Sequence, residues 1–260
     1  MFIEERKERI MKYIDEYASV TVSQLCDLFN VSEVTIRKDL NDMGNEGLLI
    51  RTHGGAVKFR ETAFEQNQAS KENKQILEKQ AIAAYVYENE IKDNETIILD
   101  AGTTTQELAK LIRRGERKNL TVITNALNVA NELMGNEAYE VIFAGGLIRQ
   151  NILSSVGMFS EELFNCIVAD KAFVGTNSIS AENGLTTPNM QECKIKQCML
   201  NASRKRYVLV DSSKFKTNSL YCICKFKDLN MIVTDDGIGK SYISKINEKG
   251  GHVVTINVKK

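Results

Sequence analysis

From residue 91 to the C-terminal end, short apolar runs alternate with stretches whose apolar residues recur at helical spacing. The apolar runs predict strands at 96–99, 120–124, 140–143, 171–174, 207–210, 231–234 and 252–256. The stretches between them predict helices at 105–113, 127–134, 161–167, 190–203 and 238–247. Strands separated by helices pair in parallel, because a parallel connection needs a long crossover. This part of the chain is therefore predicted to be an α/β domain with a mostly parallel sheet that helices cover on both faces.

A helical pattern without this alternation begins the chain and fills most of residues 1–57. Apolar spacing predicts a first helix over 4–17, and Thr21 followed by Gln24 has the form of a capping box that starts a second helix. Ser32 is placed to cap a third helix. The tight turn between the second and third helices gives the helix-turn-helix layout. A strand over 47–52, a turn at 53–55 and a returning strand then predict a wing.

The polar face of the third helix and the wing hold the candidate DNA-binding residues. Ile36 and Leu40 share the apolar face, which leaves the opposite face to solvent or a ligand. Recognition helices present polar side chains to base edges and cations to phosphates. The predicted contacts are Ser32, Thr35, Arg37, Lys38, Arg51 and His53. Residues 1–60 contain nine Lys and Arg against ten Asp and Glu, so charge alone does not indicate DNA binding, and a protein-binding module remains an alternative.

Residues 58–73 separate the two patterns. They are polar and contain neither proline nor glycine, so they are not a flexible tether, and part of them is predicted to be helical. The sequence thus predicts a winged helix-turn-helix domain over 1–57, a linker over 58–73 and an α/β domain over 74–260.

Small and hydroxyl-bearing residues recur where the predicted strands end. Gly102 follows Asp100 and precedes Thr103, Thr104 and Thr105, just before a helix. Glycine lets the backbone approach a ligand, hydroxyls donate hydrogen bonds, and a helix N-terminus favours an anion. Threonines that only cap the helix explain this turn about as well.

The other strand ends add residues of the same kind at the edge where ligands bind to parallel sheets. They are Asn125, Gly145, Gly146, Gly175 and Lys214. Together they predict a pocket for a phosphorylated polyol, with Lys214 as the cation. Glu192 and Lys196 lie four residues apart on a predicted helix. They form either a surface ion pair or, if they point inward, contacts to sugar hydroxyls and to the anion.

Composition and spacing exclude several classes of protein. The apolar runs are far shorter than the roughly 20 residues of a membrane helix, and the charged N-terminus differs from a signal peptide. The chain is therefore expected in the cytoplasm with no membrane partner, and its six cysteines are expected to be free thiols. Cys222 and Cys224 form the one close cysteine pair, and both histidines are far from it in sequence, so no metal site is predicted and no cofactor is expected.

Two segments of the N-terminal module, 31–40 (VSEVTIRKDL) and 47–56 (GLLIRTHGGA), resemble the signature of the DeoR family of bacterial transcription regulators. Further matches follow in the family's order, at 100–104, 124–130, 144–146, 184–186, Glu192 with Lys196, and 210–215. Gly44 departs from the pattern, because the family helix continues there with a good helix former, and an early helix end is expected. The resemblance implies a sensor domain that is similar in fold to ribose-5-phosphate isomerase and binds a phosphorylated sugar.

The residues and the resemblance together predict a homo-oligomeric repressor, dimeric or tetrameric, of a carbohydrate-catabolic operon. A phosphorylated sugar would release it from double-stranded operator DNA. The alternative is a sugar-phosphate isomerase with an appended DNA-binding module. Such isomerases carry clustered aspartates and a lysine beside a glycine run, whereas Asp170 stands alone and Gly145 and Gly146 precede an apolar pair, so no catalytic residue is predicted. The sugar, the operator and the direction of regulation remain open.

Overall fold

A computed structural model describes residues 3–17, 19–46, 48–52, 54–58, 68–216 and 218–258. The chain divides into two compact units, Met1–Gln66 and Asn67–Lys260. Of the predicted linker, residues 59–67 lie outside the described residues, and Gln68–Glu72 form a short helix of the second unit. His53 of the predicted DNA-binding set also lies outside the described residues.

The first unit combines three helices with a three-stranded antiparallel sheet. In chain order the elements are α1 Ile3–Tyr17, β1 Ser19–Thr21, α2 Val22–Phe29, α3 Glu33–Asn45, β2 Leu49–Arg51 and β3 Gly55–Lys58. The sheet has the order β1-β3-β2. The predicted helices and wing are confirmed, and β1, which was not predicted, joins the wing to the start of α2.

Local sequence explains where these helices begin. The Thr21 hydroxyl accepts from the Gln24 amide and the Gln24 side chain accepts from the Thr21 amide, as the capping-box pattern predicts. Ser32 caps α3. The expectation that Gly44 ends α3 early is wrong, because the helix runs to Asn45. Leu40 and Met43 pack in the core of the unit, and such packing outweighs a propensity cost of about 1 kcal/mol. The core of this unit consists of Ile10, Ile14, Val20, Val22, Leu25, Ile36, Leu40, Met43, Leu49 and Ala56.

The second unit alternates strands and helices. Its elements are α4 Gln68–Glu72, α5 Ile76–Glu90, β4 Thr96–Leu99, α6 Thr103–Arg114, β5 Leu120–Thr124, α7 Leu127–Leu133, β6 Tyr139–Phe143, β7 Leu147–Arg149, β8 Ser154–Val156, α8 Met158–Asn165, β9 Ala169–Val174, β10 Ser178–Ser180, β11 Gly184–Thr187, α9 Met190–Asn201, β12 Ser203–Leu209, β13 Tyr221–Cys224, β14 Met231–Asp235, α10 Lys240–Glu248 and β15 Val253–Ile256, with 3-10 helices at Ser212–Lys216 and Phe226–Asp228.

The seven predicted strands form one parallel sheet in the order β15-β14-β12-β9-β4-β5-β6. Successive residues of a strand face opposite sides of a sheet. Ile97 and Leu99 pack with α5, α6 and α7, whereas Ile98 lies in the cluster that includes α8, α9 and α10. The predicted parallel sheet with both faces covered is confirmed, and the carboxyl ends of its strands meet at one edge.

Two small sheets were not predicted. One is the antiparallel hairpin of β7 and β8, and the other has the order β10-β11-β13. Their strands have three or four residues, too few to show a clear alternation of apolar and polar side chains. The Ser155 amide of β8 donates to the Asn125 carbonyl at 2.8 Å, and the Leu127 amide donates to the Leu153 carbonyl at 2.9 Å. The hairpin therefore borders the carboxyl edge of the large sheet.

Within the described ranges, no helix is long and apolar enough to cross a membrane. The same ranges contain no cluster of three or more His, Cys, Asp and Glu side chains that could hold a metal ion. All six cysteines are free.

Candidate DNA-binding surface and sensor site

The predicted DNA-binding residues of α3 lie in its N-terminal half. Arg37 and Lys38 are exposed, and Thr35 is half-buried. The Arg37 guanidinium forms an exposed ion pair with Glu33, one turn earlier, at 3.0 Å. Ser32 accepts from the Thr35 amide at 3.3 Å, and their hydroxyl oxygens are 3.0 Å apart, so these two residues shape the start of the helix. Arg37 and Lys38 are left accessible to a partner.

Arg51, predicted to lie along the DNA backbone, ties the wing to α3. Its Nε donates to Asn41 Oδ1 at 3.0 Å. Its Nη1 donates to the carbonyl of Thr52 at 2.6 Å and to that of Gly55. These bonds fix the guanidinium between the helix and the wing hairpin, so Arg51 supports the geometry of the surface whatever else it contacts.

A buried ion pair inside this unit was not predicted. The Arg6 guanidinium and the Asp39 carboxylate form two hydrogen bonds, with Nη2 3.2 Å from Oδ1, and both residues are buried. The bond to Asp39 raises the pKa of Arg6 above its ordinary value, although burial opposes this. Asp39 directly follows Lys38, so the pair anchors the helix that carries the candidate cations to α1. The partners are 33 residues apart, and no local pattern joins them.

Asp100 organises the loop after β4. Its carboxylate accepts from the amides of Gly102 at 2.9 Å and Gly175 at 2.8 Å, from the Thr105 hydroxyl at 2.9 Å, and from the Lys196 ammonium. A carboxylate has about four acceptor positions. The Thr105 hydroxyl, which has one proton, also lies 2.9 Å from the Asp100 carbonyl and 2.8 Å from that of Gly102. Asp100 therefore positions the loop and Lys196.

The N-terminus of α6 is open at its cap. Gly102 occupies the cap position and makes no side-chain bond to the first turn. A Cβ at Gly102 would lie 3.0 Å from both Asp100 Oδ1 and Thr105 Oγ1, so the tight loop favours glycine. The first amides of a helix lack intrahelical partners and carry positive partial charge. At Thr103 and Thr104 the loop thus presents backbone amides that suit an anion.

Asn125, in the loop after β5, has one atom without a partner. Its Nδ2 donates to the Ser155 carbonyl at 2.8 Å. Its Oδ1 is buried and has no hydrogen-bond partner among the described residues. An unsatisfied buried acceptor costs about 1–3 kcal/mol, which a donor from a bound water or a ligand would offset. Asn125 follows Thr124, and Thr124 pairs with Leu99, so this acceptor belongs to the strand end beside the Asp100 loop.

Gly145 and Gly146 form the loop after β6. The Gly145 carbonyl accepts from the Ser160 hydroxyl at 2.6 Å. Gly146 has a φ of +146°, and a Cβ there would lie 2.6 Å from Ser160 Oγ, so a side chain would strain the loop. Ser160 Oγ is also 3.1 Å from Ser155 Oγ, and Ser155 bonds Asn125. The loops after β5 and β6 are therefore joined by one chain of hydrogen bonds.

The predicted alternative of a surface ion pair between Glu192 and Lys196 is wrong. Both residues are 5% exposed, because α9 turns them toward the sheet edge, where each meets a different partner. Lys196 donates to Asp100, whereas Glu192 accepts from Ser154 Oγ at 2.9 Å and pairs with Arg149 at 3.5 Å. Each charge is thus neutralised within the region of the predicted site.

Lys214 has a second lysine nearby that sequence analysis missed. The Lys214 amide donates to the Asp211 carbonyl at 3.1 Å. Lys79 of α5 is buried and interacts electrostatically with Asp211 and Lys214, and burial lowers the pKa of its ammonium. Its Nζ donates to the Lys71 carbonyl and, at 3.4 Å, to that of Glu72. The sole sequence signal was a lysine on the apolar face of a helix, which becomes informative once that helix is packed.

Comparison with known proteins decides the family. The family model for the DeoR C terminal sensor domain matches residues 74–236, and that for the DeoR-like helix-turn-helix domain matches residues 6–62. The chain belongs to the DeoR family. The HTH-type transcriptional regulator YulB of Bacillus subtilis is 31% identical, over 100% of this chain and 99% of the relative. The transcriptional repressor AccR of Agrobacterium fabrum is 32% identical, over 95% of this chain and 94% of the relative.

Among solved structures, ribose 5-phosphate isomerase from Plasmodium falciparum is similar with a TM-score of 0.38 and 17% identity, over 55% of this chain and 54% of that one. The DeoR-family domains and the full-length relatives make this chain a transcriptional regulator rather than an enzyme. Its DNA-binding domain is the helix-turn-helix unit, and the α/β unit contains its sensor domain.

Proposed function

We propose that this DeoR-family regulator represses a carbohydrate-catabolic operon and that a phosphorylated sugar releases it from operator DNA. One observation carries the proposal: an open helix N-terminus at Gly102 and an unpaired buried acceptor, Asn125 Oδ1, follow neighbouring strands. Free helix amides suit a phosphate, and the acceptor suits a hydroxyl. A phosphorylated sugar carries both groups in one small molecule.

The charges in this region fit the same ligand. Asp100 is paired with Lys196, and Glu192 with Arg149, so these four buried or partly buried charges sum to zero and do not repel a phosphate. The helix dipole then supplies the attraction. Lys214 lies after β12, two strands from β4 in the sheet, and adds positive charge on that side.

The DNA-binding half of the proposal assigns operator contacts to α3 and the wing. The residues are those the sequence predicted, namely Ser32, Thr35, Arg37, Lys38, Arg51 and His53. Helix-turn-helix proteins read paired half-sites about 34–36 Å apart. The DNA-bound form is therefore at least a dimer of this chain.

Two linked experiments test the proposal. Selection from a random duplex library supplies a DNA site, and thermal unfolding then screens hexose and pentose phosphates beside the unphosphorylated sugars and inorganic phosphate. We expect one sugar phosphate to raise the unfolding temperature and to weaken binding to the selected duplex. At 100 times its Kd such a ligand adds about 2.7 kcal/mol of stability. Two outcomes would refute a sugar-phosphate effector: equal stabilisation by the unphosphorylated sugar, or no stabilisation by any compound. Neither outcome would contradict DNA binding.

A further inference from the structure

Exposed apolar side chains concentrate in residues 147–159. They are Leu147, Ile148, Leu153, Met158 and Phe159, each between 39% and 70% exposed. The first two belong to β7 and the last two begin α8. Contiguous apolar patches on a folded surface mark interaction sites more often than isolated apolar residues do.

The β7–β8 pairing makes this patch continuous. Leu147 pairs with Val156 across the hairpin. Gly146 lies against Ser160 of α8, where an added Cβ would be 2.6 Å from Ser160 Oγ. Leu147 therefore lies beside the first turn of α8, which carries Met158 and Phe159.

The β7 strand also lies at the edge of its two-stranded sheet. Among the described strands it pairs with β8 alone, and its register with β8 is regular. Leu147 and Ile148 are consecutive and both exposed, so neither face of the strand is covered. Proteins ordinarily protect such edges with charged side chains, proline, a bulge or a short strand. β7 is short, but its one charged side chain, Arg149, turns inward to pair with Glu192 and leaves Leu147 and Ile148 exposed. The exposed apolar side chains of this edge suit contact with another strand.

We propose that β7 and the first turn of α8 form the surface through which two copies of this chain associate, with their β7 strands antiparallel across a two-fold axis. This inference rests on the proposed function, which needs paired copies because one chain holds one helix-turn-helix domain. An exposed strand edge accepts another strand, and an antiparallel pair of identical edges is self-complementary, as two-fold contacts require. The chain's formal net charge of zero opposes no such approach.

Hydrogen bonds and an ion pair connect this surface to the candidate sensor site. Arg149 of β7 pairs with Glu192, and Ser154 of β8 donates to the same carboxylate at 2.9 Å. Ser155 exchanges hydrogen bonds with Asn125, which carries the unpaired acceptor. A ligand that moves these residues acts on the strand that contacts the second copy.

The test is the mass of the full-length chain by light scattering, for the wild type and for Leu147→Glu and Ile148→Glu. Leu77→Glu is the matched control, because Leu77 of α5 is 54% exposed and lies outside the patch. We expect a dimer or larger for the wild type and for Leu77→Glu. Each patch variant places two charges in the two-fold interface, one from each copy. We expect the association of the copies to weaken by roughly 100-fold or more. Circular dichroism checks that each variant is folded.

A second measurement needs no disruptive side chain. Ile148 is the centre of β7, and directly opposed residues in antiparallel strands have Cβ atoms about 4.5–5.5 Å apart. Ile148→Cys should therefore form an inter-chain disulfide under mild oxidation, above the baseline of the wild type and of Leu77→Cys. This surface is overturned if the wild type is a dimer and both glutamate variants are dimers too, or if Ile148→Cys gives no cross-link above the baseline. Either result leaves the proposed function standing. A chain that stays monomeric and binds its selected DNA fully contradicts the paired form itself.

Discussion

Two ion pairs of the first unit join α1 to the region of α3, and they differ in their exposure to solvent. Arg6–Asp39 is buried, whereas Lys7–Glu46 has a half-exposed carboxylate at 2.8 Å. Removing one partner of a buried pair costs about 3–5 kcal/mol because the other charge is left unpaired, whereas an exposed pair contributes about 0–1 kcal/mol. We expect Asp39→Ala to destabilise the unit and Glu46→Ala to change it little. Hydrogen exchange over 3–58 in the full chain measures this, and equal exchange in both variants would contradict it.

At Gly44, we expect alanine to make the first unit more stable than glycine does. It lies inside α3, and an added Cβ would meet Arg51 Cβ at 3.7 Å and Leu49 Cδ1 at 3.9 Å, which are ordinary contact distances. Gly44→Ala should therefore stabilise the unit by up to about 1 kcal/mol. Gly146→Ala is the contrasting change, since its positive φ and close neighbours predict a loss. Thermal unfolding of both variants tests the pair, and a lower unfolding temperature for Gly44→Ala would count against the prediction.

Arg37 and Lys38 are the cations of α3 that we expect to reach DNA phosphates. Each lost phosphate contact should lower the slope of log affinity against log salt by roughly 0.9. Arg37→Ala and Lys38→Ala should do so on the selected duplex. Arg9→Ala is a matched control, because Arg9 makes a similar exposed pair with Glu5 on α1, at 2.8 Å. Unchanged slopes for both α3 variants would remove these residues from the interface.

At the scale of elements, the start of α6 gives a test in which stability and binding move in opposite directions. Thr103 is the first residue of α6 and is half-buried. A carboxylate there stabilises the helix by about 0.3–1 kcal/mol but occupies the proposed phosphate position. Thr103→Asp should keep or raise the unfolding temperature and lose the shift caused by the sugar phosphate. The DNA-bound protein should then no longer be released.

The matched control is Ser241→Asp at the start of α10, another helix whose cap residue is a glycine, Gly239, without a side-chain bond. It should gain similar helix stability and keep the effector response. An effector response in Thr103→Asp equal to that of Ser241→Asp would show that the α6 terminus is only a helix start.

The elements that sequence predicted well are those with enough residues to show a period. β4 and β5 have the predicted bounds, and the seven-stranded sheet follows from strands that alternate with helices. The three-residue strands β1, β7, β8 and β10 escaped prediction, because they are defined by pairing with a partner strand and are too short to show a pattern of their own. The helix predicted at 105–113 begins at Thr103, because Gly102 rather than a threonine is the cap.

The site was predictable to the extent that strand ends define it. Asp100 and Asn125 follow recognisable strands, and the sequence placed their loops on one edge. Their partners were not predictable: Arg149 and Ser155 lie on the unpredicted hairpin, and helix packing brings Lys79 close enough to Asp211 for an electrostatic interaction. Local spacing also could not indicate that the Asp100 carboxylate accepts hydrogen bonds from groups of the protein itself.

At the scale of the whole molecule, release of DNA by an effector is a coupling between two binding sites. Thermodynamic linkage requires that DNA weaken effector binding by the same factor by which the effector weakens DNA binding. We expect this equality between titrations of the sugar phosphate with and without the selected duplex. Calorimetry measures the effector side and fluorescence anisotropy the DNA side. Effector affinity that is indifferent to saturating DNA would contradict an effector-driven release.

The hydrogen bonds that the protein itself donates to Asp100 bear on how such a regulator changes over generations. The carboxylate shapes the loop from within, with donors supplied entirely by the protein. Under the proposed function, discrimination among sugars is expected to depend on side chains around the loop, such as Thr103 and Asn125. After a gene duplication, one copy can acquire a new effector through a few substitutions at these positions, without rebuilding the loop that both copies inherit.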